Sequence, residues 1–122
     1  LNSKILLVDD SPLIRKAIHK FLGQLGYHNV IEADDGSEAV KLVQSETPDF
    51  MFMDIVMDKM NGDKALAEIR KTHPELPIVM LSSVTDQSLV TNCEALGISG
   101  FIFKPLNNET GPKTLQEHLK IA

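Results

Sequence analysis

The chain is 122 residues long, 43% hydrophobic and 24% charged, with a formal net charge of −5. That length suits one domain with one core, spanning 1–122, since domains most often run to roughly 100–150 residues. No apolar run nears the ~20 residues of a membrane span, the net acidity argues against a general nucleic-acid surface, and the single cysteine, Cys93, excludes an internal disulfide.

KILLV (4–8) reads as the first strand, a continuous apolar run of the kind expected where both faces of a sheet are covered. The first helix opens with Ser11 as N-cap and Pro12 at the first helical position. Three- and four-residue spacing buries Leu13, Ala17 and Phe21, with Ile14, Ile18, Leu22 and Leu25 alongside, and Gly26 stops the helix. VIEA (30–33) is the second strand, and the segment 37–45 the second helix, carrying Ala39, Val40 and Val43. DFMFMD (49–54) forms the third strand, followed by a helix over 62–72 that carries Ala65, Leu66 and Ile69 and ends before Pro74. IVMLS (78–82) is the fourth strand and 86–96 the fourth helix, with Leu89, Val90, Cys93 and Leu96, closed by Gly97. GFIF (100–103) is the fifth strand. NNETGP (107–112) delays the last helix until Pro112, after which Leu115 and Leu119 give it a stripe.

Strict strand–helix alternation with right-handed crossovers gives a parallel sheet covered by helices on both faces. Five such units predict an α/β, doubly wound, flavodoxin-like (βα)5 fold with strand order 2-1-3-4-5, in which ligands bind beyond the carboxyl ends of the strands. Asp9 and Asp10 follow strand one, Asp54 ends strand three, Ser82 ends strand four and Lys104 follows strand five. Strands one and three are neighbours in this order, so three carboxylates converge. At ~5 Å and an effective dielectric of ~20, each pair repels by about 3 kcal/mol.

Protonation or a bound divalent cation relieves that repulsion. Oxygen ligands without supporting His or Cys favour Mg²⁺ or Mn²⁺ over zinc, and an ion held by two or three protein ligands keeps positions open for water or phosphate oxygens. Lys104 can hold a second phosphoryl oxygen. Asp54 is then the candidate nucleophile, forming an aspartyl phosphate.

LLVDDSP (6–12), MFMDIVM (51–57), MNG (60–62), LSS (81–83) and GFIFKP (100–105) together resemble the response-regulator receiver domains of two-component signalling, of the chemotaxis-regulator kind, over nearly the whole chain. The resemblance implies that Asp9 and Asp10 hold Mg²⁺ with Asp54 and the backbone carbonyl of Val56, and that Asp54 is the phospho-acceptor. It further implies that Ser82 is a switch hydroxyl, that Lys104 pairs with the phosphoryl group, and that Phe101 is an aromatic whose burial changes between two states. The implied donor is the phosphohistidine of a sensor kinase or phosphotransfer protein. The implied output is the surface of helix four, strand five and helix five, acting on an effector protein or a fused output domain, with no direct nucleic-acid or membrane contact.

Each residue also has a plainer reading. Asp9 and Asp10 suit a helix-capping pair before Ser11 and Pro12, Ser82 a strand-end hydroxyl bonded to local backbone, Lys104 a solvated loop cation and Phe101 core. His19, His28, His73 and His118 read as surface or loop residues, and the methionines as packing. It is the joint spacing of the acid pair, Asp54, Ser82 and Lys104 that favours a functional acidic pocket.

Departures from the family pattern carry their own expectations. Asp58 stands where receivers usually have Pro and is expected to be solvated rather than a metal ligand. Val56 and Val84, two residues beyond Asp54 and Ser82, are apolar where the family's attacking water passes, so a long-lived phosphoryl group is expected. A metal-dependent phosphatase with an aspartyl nucleophile would be the alternative of another class. Haloacid-dehalogenase-like enzymes place a second Asp at the position of Val56, which argues against turnover of external substrates. A non-phosphorylated interaction domain is disfavoured by the complete set of pocket charges. The domain is therefore expected to act on itself rather than as an enzyme. One thiol and no signal-peptide pattern favour a cytoplasmic setting, and Leu1 in place of Met suggests a processed chain or part of a longer one.

Overall fold

The computed structural model describes residues 3–57, 59–82, 87–104 and 106–121. Asp58, Val84 and Pro105 lie outside the described residues. The elements alternate without exception: β1 (Ile5–Val8), α1 (Pro12–Gln24), β2 (Val30–Ala33), α2 (Gly36–Glu46), β3 (Phe50–Asp54), α3 (Gly62–Thr72), β4 (Ile78–Ser82), α4 (Gln87–Leu96), β5 (Gly100–Phe103) and α5 (Gly111–Ile121). All ladders are parallel and the sheet runs β2-β1-β3-β4-β5, as the alternation predicts.

Every residue of β1, β3 and β4 is buried. Within those apolar runs a period of two sorts the side chains. Ile5 and Leu7, Phe50 and Phe52, Val79 and Leu81, and Ile102 face the side covered by Ile18, Phe21 and Leu22 of α1 and Leu115 of α5. Leu6 and Val8, Met51 and Met53, and Ile78 and Met80 face Ala39 and Val43 of α2, Ala65, Leu66 and Ile69 of α3, and Cys93 of α4. Burying a side chain such as Phe52 fully contributes about 1.5–3 kcal/mol. Burial also pushes the Cys93 thiol up to about 11, with Asp63 and Glu94 adding to it, so Cys93 behaves as a core residue.

The helix ends follow their local chemistry. Ser11 Oγ accepts the N–H of Ile14 (3.4 Å), and Pro12 occupies the first helical position. At the other end Gly26 takes φ +95°, while its N–H reaches Gly23 O and that of Tyr27 reaches Leu22 O (3.0 and 2.9 Å). That pair of bonds is the Schellman motif, which only a residue free to adopt a left-handed conformation closes without strain.

Three expectations are corrected. Leu13 is 80% exposed rather than buried. At ~100° per residue it lies about 140° from Ile18, which centres the stripe, so it faces away from the sheet. Leu96 at the end of α4 is likewise exposed. His118 is not a simple surface residue: its Nδ1 is buried without a hydrogen-bond partner among the described residues, and it packs on Gly100, where a Cβ would come within 2.6 Å of that nitrogen.

Candidate functional site

The same period of two decides which strand-end groups meet. Asp9 continues Ile5 and Leu7, Asp54 continues Phe50 and Phe52, and Lys104 continues Ile102, so all three belong to the α1/α5 side of the sheet. Lys104 Nζ donates to Asp9 Oδ2 at 3.0 Å and to Asp54 Oδ2 at 2.9 Å. Asp10, more open to solvent, brings a third carboxylate, and one oxygen from each of Asp9, Asp10 and Asp54 lies within 4.8 Å of the others. The convergence expected from strand order is present. Lys104, which the resemblance pairs with a phosphoryl group, bridges two of the acids here. One ammonium against three carboxylates leaves the pocket anionic.

Asp9 is buried and each of its polar groups is engaged. Its N–H reaches Ala33 O (3.2 Å), its carbonyl accepts from Arg15 Nη1 (2.6 Å), and Oδ1 accepts the N–H of Ser11 (2.9 Å). Asp9 thus does part of the turn-forming work of the plainer reading while remaining in the pocket. Burial holds the Asp54 carboxyl above the usual carboxylate range, and the charges of Asp9 and Asp10 push the same way against the opposing pull of Lys104. For Lys104 burial disfavours the ammonium, but its hydrogen bonds to Asp54 and Asp9 more than offset that and raise it.

Beyond Asp54 the chain turns back at once. Ile55 N–H reaches Leu81 O (3.0 Å), Gly62 N–H reaches Ile55 O (2.6 Å) and Met57 N–H reaches Asn61 Oδ1 (3.0 Å). A Cβ on Gly62 would collide with the backbone carbonyl of Asp54, so the glycine of MNG is there for close approach. The loop is braced from α2: Gly36 N–H bonds Met60 O (3.2 Å), and Asp35, the N-cap, sits 3.7 Å from Lys59 Nζ. Val56, two residues beyond Asp54, is 44% exposed.

Ser82 and Phe101 fall on the opposite parity, toward α4. Ser82 is buried at the end of β4, and its carbonyl accepts the N–H of Lys104 (2.8 Å). Phe101 is partly buried against the α2–α4 side of the core, with its ring centroid 5.5 Å from that of Phe103, which is 68% exposed. The acid pair, Asp54 and Lys104 therefore form one cluster, while Ser82 and Phe101 form a second group on the other side of β4 and β5. Hard oxygen donors from three side chains suit a divalent cation such as Mg²⁺, whose coordination shell waters and phosphate oxygens would complete.

The chain belongs to the response-regulator receiver domain family, a phospho-accepting signalling module of two-component systems, whose family model matches residues 5–116. It is 37% identical over 102 residues to the chemotaxis protein CheY of Bacillus subtilis, covering 84% of this chain and 85% of that protein. It is also 37% identical over 118 residues to a probable transcriptional regulator, ycf27, of Guillardia theta, covering 96% of this chain but 44% of the relative. Among solved structures, the chemotaxis response regulator CheY4 of Vibrio cholerae superposes with a TM-score of 0.86 at 34% identity, covering 97% of this chain and 99% of that one. No helix among the described residues is long and apolar enough to cross a membrane.

Proposed function

We propose that the chain accepts a phosphoryl group on Asp54 in a Mg²⁺-dependent transfer, with Mn²⁺ as a substitute, and that phosphorylation switches the surface of α4, β5 and α5. The observation that carries this reading is the bridge of Lys104 between Asp9 and Asp54, with Asp10 beside it. Asp9, Asp10, Asp54 and the carbonyl of Val56 would hold the metal. When bound, Mg²⁺ supplies neutralisation of the three carboxylates and of the incoming phosphoryl oxygens.

A carboxylate oxygen of Asp54 attacks phosphorus in line, and the bond from phosphorus to the imidazole nitrogen of a phosphohistidine breaks as the new P–O bond forms. Lys104 exchanges one carboxylate contact for a phosphoryl oxygen. Ser82 supplies a hydroxyl to a second, moving with the end of β4. The added charge of about −1 and the new acceptor oxygens favour whichever packing of β4–α4 and β5 brings those donors closer, with Phe101 following. Taking such an equilibrium from 1:99 to 99:1 needs about 5.5 kcal/mol of differential interaction, a scale that charge-assisted bonds and a metal can supply. A sensor kinase or phosphotransfer protein as donor, an effector or output domain as recipient, and a cytoplasmic setting complete the reading.

Intact mass after incubation with a small acyl phosphate and Mg²⁺ tests it. The parent gains one phosphoryl group and Asp54→Asn gains none. A parent that stays unmodified, or an Asp54→Asn chain modified as readily, overturns it.

A further inference from the structure

Arg15 touches the pocket without facing it. Its Nη1 donates to the carbonyl of Asp9 at 2.6 Å and its Nε to Glu32 Oε1 at 3.0 Å, while Glu32 Oε2 lies 2.7 Å from His19 Nδ1. Arg15 and His19 sit one turn apart on α1, and both grip the same carboxylate of β2. Pairs as open to solvent as these contribute little stability, about 0–1 kcal/mol. Their geometry points elsewhere.

The carbonyl held by Arg15 belongs to the planar peptide that joins Asp9 to Asp10. With Asp9 anchored, fixing that plane sets its last torsion and the direction of the N–Cα bond about which Asp10 turns, and so narrows the angle between two adjacent carboxylates that must converge on one ion. Asp9 is otherwise anchored at its N–H, Oδ1 and Oδ2, whereas the carboxylate of Asp10 makes no hydrogen bond among the described residues. The peptide plane therefore supplies a restraint that Asp10 does not get from its own carboxylate. A cation this near a metal site would ordinarily oppose metal binding, but Glu32 cancels its charge at 3.0 Å.

We propose that Arg15 is a positioning residue for the divalent ion: by clamping the Asp9–Asp10 peptide it sets the Mg²⁺ affinity of the acid cluster, with Glu32 as the anchor that neutralises it. This rests on the metal-dependent reading of the pocket given above.

Titration calorimetry of Mg²⁺ into the whole chain is the test, with circular dichroism reporting metal-free stability. Arg15→Met should weaken Mg²⁺ binding about tenfold, the usual effect of losing an outer-shell partner, with a metal-free melting temperature close to the parent's. Arg15→Lys, whose ammonium can still reach the carbonyl, should recover part of the affinity. In the phosphorylation assay the Mg²⁺ concentration for half-maximal modification should rise while the maximum at saturating Mg²⁺ is kept. A Kd for Arg15→Met within about twofold of the parent's overturns the role. If Arg15→Met does not fold, Glu32→Ala decides, read at low and high salt because salt screens the uncancelled Arg15 charge: a Kd weakened at both supports the clamp, and one unchanged, or weakened at low salt alone, overturns it. A parent that binds no Mg²⁺ overturns the metal reading itself, an outcome distinct from a parent that binds and an Arg15 variant that binds equally well.

Discussion

The ammonium of Lys104 stands 2.9 Å from Oδ2 of Asp54, with 7% and 6% of the two side chains exposed. Removing one partner of so enclosed a pair strands the other, at a typical cost of about 3–5 kcal/mol. Lys104→Met should therefore lose about 3 kcal/mol of stability near neutral pH without Mg²⁺. Burial holds the Asp54 carboxyl above its ordinary 3.8 in the fold, so only at pH between that value and the raised one does the folded chain keep a proton that the unfolded chain has released. The penalty is absent below 3.8 and grows as pH rises through the window between that value and the raised one. Lys104→Met removes the cation that opposes the rise and should widen the window. Urea unfolding of parent and variant at acidic and neutral pH measures this, and added Mg²⁺ should recover much of the neutral-pH loss.

Asp35 gives the opposite pH signature. The hydroxyl of Ser37 (2.6 Å) and the N–H of Glu38 (3.0 Å) hold its carboxyl at about 2, with Lys59 assisting. A depressed acid stabilises the fold above its unfolded value of 3.8, and that contribution disappears as pH falls toward 2. Asp35→Asn should keep the cap but lose this part of the acid dependence, whereas Asp35→Ala should cost about 1 kcal/mol at neutral pH. Denaturant midpoints across pH 4 to 2 separate the two, a window set by the cited values.

Gly62→Ala places a methyl group against the carbonyl of Asp54. Because the obstacle is backbone, the loop must shift, and a loss of about 1–3 kcal/mol is expected. The shift moves Asp54 itself, so the rate of modification by a small phosphodonor should fall along with the melting temperature.

Val56, two residues beyond Asp54, presents an apolar side chain that is 44% exposed and cannot orient water by hydrogen bonding. Replacing both Val56 and Val84 by Asn or Gln should speed loss of the phosphoryl group by about tenfold, equivalent to ~1.4 kcal/mol of barrier. A time course of intact mass after removal of the phosphodonor reads the rate directly. An unchanged half-life would show that water reaches phosphorus by another path.

Much of the fold was legible because two periods are written plainly in the chain. β2, β4, β5 and α3 run over the residues that their apolar pattern predicts, and strand order brings Asp9, Asp10 and Asp54 together. Three features were not legible. Leu13 looks like a core residue until the helix is rotated onto the sheet and the stripe proves to centre on Ile18. The direct bridge by Lys104 depends on the shared parity of residues 9, 54 and 104, which emerges only once the core contacts show which face each run presents. The contact between Arg15 and the Asp9 carbonyl joins a side chain to backbone, and no pattern of residue types encodes that.

Among the described residues, β5 is the one strand ending in the acidic pocket that has a single neighbour, pairing with β4 at the edge of the sheet. Asp9 and Asp54 are rooted in strands hemmed in on both flanks, so they cannot yield without disturbing two ladders at once. Lys104 grows from the selvedge of the fabric, where displacement disturbs one. If a phosphoryl group on Asp54 were to draw these groups together as proposed, the sheet's middle would act as an anvil and its hem would do the travelling, carrying the bare ring of Phe103 with it.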